Sequence, residues 1–372
     1  MTSKLHRLYE EFGQSIWLDF ISRDIMASGQ FQELIDLGLR GVTSNPSIFN
    51  KAISGSTLYD EDIRHLAEEG ADAFTIYDAL SQADIAAACD VLLPLYKASH
   101  RGDGYVSIEV NPDLAYDTEG TIQEAQRLWH SIQRPNLMVK VPATKEGIPA
   151  IRELIAAGVN VNATLMFSLG HYEAVAHAYI EGLETRVRAG EDVSHIASVA
   201  SFFVSRIDTA VDKALAAVGN TDLQGTIAIA NAKLAYDRFK VIFGDARWQE
   251  LADQGARLQR PLWASTSTKN PAYSDVLYVE NLIGPHTVNT LPLQTIQAFL
   301  DHGKLARTID VDVEDARARI ARLAELGIDF EKITEDLQRA GVQAFANDFH
   351  KLLNTIAQRA GIMAAADEGG RR

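Results

Sequence analysis

The residues best placed to do chemistry are the polar groups that interrupt apolar, β-rich runs. Lys140 is the sharpest. It sits in Leu137-Met138-Val139-Lys140-Val141-Pro142, among branched apolar neighbours, with Pro142 marking the end of the run. An ammonium is seldom buried unless it is paired or functional. Two readings follow: a structural lysine satisfied by a carboxylate in the same core, or an amine whose desolvation favours the free base, able to attack a carbonyl and form a Schiff base. Similar interruptions recur near the ends of other runs. Asp19 follows Ile16-Trp17-Leu18, Asn45 follows Val42-Thr43-Ser44, and Glu109 lies in Val106-Ser107-Ile108-Glu109-Val110. Asn162 and Thr164 punctuate Val161-Asn162-Ala163-Thr164-Leu165, Ser201 interrupts Val199-Ala200-Ser201-Phe202-Phe203, and Ser265 follows Leu262-Trp263-Ala264. Any one of these is open to being an N-cap or a satisfied core group. Ionised Asp19 and Glu109 near Lys140 would favour its ammonium, against the effect of burial, and the sequence leaves that balance open.

Convergence of these groups requires that the runs be strands pointing the same way. Eight short β-rich runs are separated by stretches with helical spacing of apolar residues: 16–20, 41–45, 105–110, 137–141, 159–167, 196–204, 261–266 and 276–283. Several hold adjacent apolar residues instead of alternating ones, as parallel strands buried on both faces do. Helices are expected over 118–131, 145–157 and 208–218, the last two stopped by Gly158 and Gly219. Eight alternations favour a closed (β/α)8 barrel of the TIM type over an open doubly wound sheet, and a barrel gathers the polar strand ends at one mouth.

Two departures from even spacing modify this plan. The long gap between the second and third runs holds helical segments at 60–69 and 73–97, a peripheral helical insertion. After Gly303 the pattern is all helical, with segments at 313–326, 330–340 and 342–360 and with Gly327 and Gly341 as breaks. The expected division is a barrel domain over 1–303, C-terminal helices over 304–360 packed on the barrel, and a flexible tail over 361–372. Phe345, Phe349 and Leu353, at i, i+4 and i+8, would either pack on the barrel wall or cover its mouth, and the wall is the expectation.

The 372 residues carry 35 Lys+Arg against 50 Asp+Glu, a net charge of −15, which argues against nucleic acid or an anionic membrane as partner. A chain of this size builds its core without disulfides or structural metal. Its one cysteine, Cys89, lies in an apolar stretch and reads as a buried, inert thiol. The ten histidines are scattered, the closest pair being His171 and His177, so no metal site is expected. The acidic stretch from Asp310 to Asp315 lacks the central glycine and distal glutamate of a calcium loop. Glycine-rich nucleotide loops, zinc-protease and nucleophile-elbow motifs are missing from the sequence, and no cofactor is expected. The first residues lack a secretory apolar core and no run approaches membrane-spanning length, so a cytoplasmic location is expected.

Five linked segments resemble transaldolase: Thr43-Ser44-Asn45-Pro46-Ser47, the Lys140 run, Asn162-Ala163-Thr164-Leu165-Met166-Phe167-Ser168, Ser201-Phe202-Phe203-Val204-Ser205-Arg206, and the stretch from Trp263 through Lys269 to Pro271. The resemblance covers residues 12 to 300, extends into the helical C-terminus, and is to the longer bacterial subfamily. It implies a pentose phosphate pathway transferase that needs no cofactor and acts on sugar phosphates as a monomer or homodimer. A dihydroxyacetone unit would pass from sedoheptulose 7-phosphate to glyceraldehyde 3-phosphate, giving erythrose 4-phosphate and fructose 6-phosphate. By position, Lys140 is the Schiff-base lysine, Asp19 the base at the C4 hydroxyl, and Glu109 with Thr164 the pair that positions a proton-shuttling water. Asn45 and Asn162 would hold hydroxyls of the dihydroxyacetone part, while Ser201, Arg206, Ser265 and Lys269 would hold the phosphate. Ser205 stands where many relatives have glycine.

Two rivals are weighed against this reading. Fructose 6-phosphate aldolase-type lyases are similar in the lysine run, but they are far shorter and carry Gln and Tyr where Glu109 and Phe203 stand here. A non-catalytic sugar-phosphate-binding barrel would not need Lys140, Asp19 and Glu109 together.

Overall fold

Strands buried on both faces find all their backbone partners only in a sheet covered by helices or closed on itself, and this chain does both. The structure, a computed structural model, describes residues 2–361. Eight parallel strands close in the order of the chain: β1 (Gln14–Leu18), β2 (Gly41–Val42), β3 (Tyr105–Glu109), β4 (Leu137–Pro142), β5 (Val161–Met166), β6 (Ser198–Phe203), β7 (Arg260–Ala264) and β8 (Thr287–Leu291), with β8 returning to β1. The fold is a (β/α)8 TIM barrel. Its interior is packed by large side chains, and Trp17 and Trp263 are fully buried. Gly41 is required beside the first of these, because a Cβ there would stand 2.6 Å from the Trp17 ring.

Seven of the expected runs become strands, and the eighth does not. The segment 276–283 forms the short helix Leu277–Asn281, and β8 lies just beyond it. Buried Val279, Leu282 and Ile283 recur at i, i+3 and i+4, a helical spacing that β-rich composition conceals. Tyr278 then reaches back to donate its hydroxyl proton to Asp208 at 2.8 Å.

The insertion between β2 and β3 is helical: Pro46–Gly55, Asp60–Glu68 and Ala73–Ala98. At the C-terminus the helix Val313–Glu325 packs on Ile227–Ile242, a wall helix. The final helix departs from expectation. It runs unbroken from Phe330 to Arg359, through Gly341. A Cβ on Gly341 would lie 3.0 Å from Leu165 and 3.5 Å from Arg206, so the glycine serves close approach to the barrel mouth instead of a helix stop. This helix contacts Pro46–Gly55, Ala73–Ala98, the helix Ser205–Ala217 and β5, so it crosses the mouth, whereas the wall was expected. Buried Gln338 fixes it there, donating to the carbonyls of Ala143 (2.8 Å) and Leu165 (3.0 Å), just past β4 and within β5. The tail expected over 361–372 lies outside the described residues from 362 onward.

Candidate active site at the barrel mouth

Parallel strands bring their carboxyl ends to one face, and the expected residues meet there. A cavity of about 130 Å³ is lined by Asp19, Asn45, Lys140, Thr164, Ser201, Phe203, Arg206, Ser265 and Lys269. Glu109 and Asn162 lie just beneath. Glu109 is paired in register with Lys140 across β3 and β4, and Lys140 with Asn162 across β4 and β5. A wider space of about 550 Å³ continues outward past Lys51, Phe345 and Asp348.

Lys140 is buried. Its Nζ donates to the Ser44 carbonyl at 3.0 Å, stands 3.6 Å from Glu109 Oε2 and lies 5.8 Å from the centre of the Phe345 ring. Burial pushes the Glu109 carboxyl up to about 7, against the pull of the Lys140 charge. Glu109 Oε2 and Thr164 Oγ1 are both buried without a protein hydrogen-bond partner among the described residues. Buried oxygens of that kind normally hold water or ligand. β5 shifts register between Ala163 and Met166, with Leu165 at φ 62°, and this bulge sets the turn of the chain next to Thr164.

Asp19 follows β1 and accepts a hydrogen bond from Thr43 Oγ1 at 2.8 Å; the Thr43 and Thr290 hydroxyls are 2.7 Å apart. Burial raises the Asp19 carboxyl above its ordinary value, while Lys140, Thr43 and two further lysines draw it down. Asn45 caps the helix Pro46–Gly55, its Oδ1 accepting from the Ile48 N–H at 3.0 Å, which leaves the amide nitrogen for the cavity. Asn162 is locked between Ser107, to which its Nδ2 donates (3.0 Å), and Ser201, from which its Oδ1 accepts (2.7 Å). Ser201, expected at the phosphate, therefore spends its hydroxyl proton on Asn162.

The outer wall is cationic. Arg206 is half-buried, stacks 5.2 Å from the Phe203 ring centre, and has no hydrogen bond or ion pair among the described residues. Burial pulls its guanidinium below the ordinary value, with Asp348 opposing. Lys269 donates to Ser267 at 2.6 Å, and its pKa is lowered by burial and by Arg206. Ser265 holds a left-handed backbone, φ 56°, with its hydroxyl 2.9 Å from that of Ser205. Two unpaired cations in a chain of charge −15 make a local seat for an anion.

Thr43, Ser267, Thr290 and Phe345 also line the cavity, and the Ser44 carbonyl holds the lysine. Thr43, Ser44 and Ser267 fall inside the segments already singled out, so their signal was present. Thr290 was hidden by the misplaced eighth strand. No group of three or more His, Cys, Asp or Glu among the described residues is arranged to hold a metal ion, and no helix among them is long and apolar enough to cross a membrane.

The sequence matches the family described as Transaldolase/Fructose-6-phosphate aldolase over residues 16–356. It is 50% identical over 358 residues to a protein named Transaldolase from Parafrankia sp. (strain EAN1pec), covering 95% of this chain and 97% of that one. It is 46% identical to Transaldolase 2 of Nostoc punctiforme, covering 95% and 97%, and 47% identical to the transaldolase of Mycobacterium ulcerans, covering 92% and 93%. With a parallel barrel closed around a buried lysine and near full-length likeness to these relatives, the chain belongs to the transaldolase/fructose-6-phosphate aldolase family, on its transaldolase side.

Proposed function

We propose that the mouth transfers a dihydroxyacetone unit from sedoheptulose 7-phosphate to glyceraldehyde 3-phosphate through an imine on Lys140. The observation that carries this reading is the placement of Lys140 Nζ, 3.6 Å from a carboxyl raised to about 7 and 3.0 Å from a carbonyl that orients it. The free amine adds to the ketose C2 carbonyl. Loss of water from the carbinolamine needs a proton delivered to the departing hydroxyl, and Glu109, with Thr164 holding a water between them, is the donor.

Carbon–carbon cleavage then follows from the charge on the imine. Asp19 takes the proton of the C4 hydroxyl, the C3–C4 bond breaks, and its electron pair moves into the protonated imine to give an enamine. Erythrose 4-phosphate departs with the new C4 aldehyde. Glyceraldehyde 3-phosphate enters, the enamine carbon attacks its aldehyde, and Asp19 returns the proton to the new hydroxyl. Water adds to the imine, Glu109 accepts the proton, and fructose 6-phosphate leaves. Asn45 and Asn162 hold hydroxyls of the bound three-carbon unit, Ser201 fixing the rotamer of Asn162. Arg206 and Lys269, with Ser265 beside them, hold the phosphate. On this reading the reaction takes place in the cytoplasm, the location expected from the sequence.

Glu109 and Phe203 stand where the lyase branch has Gln and Tyr, and the relatives match over nearly their whole length, so the lyase reading is not favoured. Borohydride added with fructose 6-phosphate is expected to trap a covalent adduct that peptide mapping places on Lys140. Turnover of fructose 6-phosphate should require erythrose 4-phosphate. An active Lys140→Ala variant, or rapid release of dihydroxyacetone without acceptor, would overturn the reading.

A further inference from the structure

At the opposite end of the barrel, where the strands begin, a second cavity of about 250 Å³ opens beside the turn before β3. Strands of five or six residues at roughly 3.3 Å per residue put it about 15 Å or more from the catalytic mouth. Its lining brings together Arg101, Arg257, Arg260 and His286 over the apolar surface of Tyr105 and Met138, and it includes no carboxylate.

The charge there is not balanced by the protein. Asp103 is the carboxylate that serves this end. It is fully buried, accepts from Ser15 at 2.8 Å, and is shared by two guanidiniums, Arg40 at 2.7 Å and Arg260 at 3.1 Å. One negative charge between two positive ones leaves an excess of one. Arg257 is fixed by the carbonyls of Ser194 and His100, both at 2.8 Å, which orient it without neutralising it. Arg101 makes no side-chain hydrogen bond or ion pair among the described residues, and it follows His100 in a left-handed pair, φ 51° and 66°. A guanidinium has five N–H donors. Arg257 and Arg260 each use two in bonds to the protein, so the rest of both forks and the whole of Arg101 remain. An excess of three positive charges around an open cleft, two of them on forks held by hydrogen bonds and the third on the exposed Arg101, in a chain of charge −15, is arranged for an anion with several acceptor oxygens.

We propose that this cavity is a second anion site, separate from the catalytic mouth, that takes the phosphate group of a small phosphorylated metabolite. Planar forks suit phosphate, and the apolar lining from Tyr105 and Met138 suits a short carbon skeleton attached to it. The strands that frame the cavity, β3, β4, β6 and β7, carry Glu109, Lys140, Ser201 and Ala264 nearer their other ends. An occupant would therefore stabilise the elements that hold the catalytic groups in place.

The test reads binding, not turnover, and does not depend on the assignment of the reaction. Inorganic phosphate is titrated by calorimetry into the Arg206→Gln protein, which weakens the mouth's own seat. One phosphate per chain is expected to bind, with an affinity that falls steeply with ionic strength. Adding Arg101→Glu should weaken it at least tenfold, and Arg101→Gln by less, with the same circular dichroism and unfolding midpoint in the absence of phosphate. Phosphate should raise the unfolding midpoint of Arg206→Gln and not of the Arg101→Glu double variant. The proposal is overturned if phosphate does not bind to Arg206→Gln, if its affinity is the same with Arg101→Glu, or if acetate binds as tightly.

Discussion

Replacing Glu109 by Gln keeps the size of a buried side chain and removes its ability to exchange a proton. An ordinary glutamate is protonated in roughly one molecule in 300 at a pH 2.5 units above its pKa. With its carboxyl raised from 4.5 to about 7 by burial, Glu109 is protonated in about half the molecules at neutral pH. That shift enlarges the population of the proton donor roughly 150-fold and corresponds to about 3 kcal/mol of differential stabilisation of the neutral form. Glu109→Gln removes both forms of the catalyst, so kcat should fall about 10²- to 10⁴-fold, the range for loss of a positioned general acid–base. The parent's pH profile of kcat, followed from about pH 5.5 to 9, should carry an inflection near 7 that Glu109→Gln loses. Rapid-quench borohydride trapping separates the steps. Accumulation of trapped adduct on Lys140 should slow by the same factor as kcat. A Glu109→Gln protein within threefold of the parent, or one that keeps the inflection near 7, refutes the assignment. Adduct formed at the parent's rate with slow turnover refutes the role of Glu109 in forming the imine and leaves it only the role in hydrolysing it.

Two further outcomes follow from the same geometry. Gly341→Val places methyl groups against Leu165 and Arg206, where even a Cβ is 3.0 Å and 3.5 Å away, so the last helix must rise off the mouth; KM for fructose 6-phosphate should increase tenfold or more while the protein stays folded by circular dichroism. Asp208, buried and accepting from the Ala228 N–H at 2.7 Å and from the Tyr278 hydroxyl at 2.8 Å, has its carboxyl pushed up by burial to about 7. Its folded pKa exceeds the unfolded one, so the unfolded chain releases the proton first, and the group's contribution to stability is lost as pH rises from about 4 to about 7. The loss is about 4 kcal/mol at most. Asp208→Asn, whose amide can serve both partners, should flatten that slope in urea unfolding between pH 5 and 8; an unchanged slope would count against the burial of this carboxyl.

What was legible in the sequence was whatever a strand makes conspicuous. A charge inside an apolar run stands out, and Lys140 and Glu109 were found that way. Register then placed them side by side across β3 and β4. Asp19 and Asn45 were found although they lie just past β1 and β2, because the end of a strand is where the polar group begins. The eighth strand was missed for the converse reason: Thr287-Val288-Asn289-Thr290-Leu291 is short and mostly polar, whereas 276–283 looks like a strand and is spaced like a helix. With β8 went Thr290, which completes the hydroxyl chain to Asp19.

Gly341 shows a different limit. Within one sequence, a glycine between two helical segments is a stop; in the fold it is the point where a helix must touch Leu165, and only the neighbour 176 residues away decides between the two. Phe345 follows from it. One helical turn beyond Gly341, the ring reaches the cavity and stands 5.8 Å from Lys140. That contact bears on the chemistry. The ring forms one wall of the space around Nζ, with Glu109 3.6 Å away on another side. The last helix thus lines the candidate site, although nothing in its own sequence is assigned a reacting group.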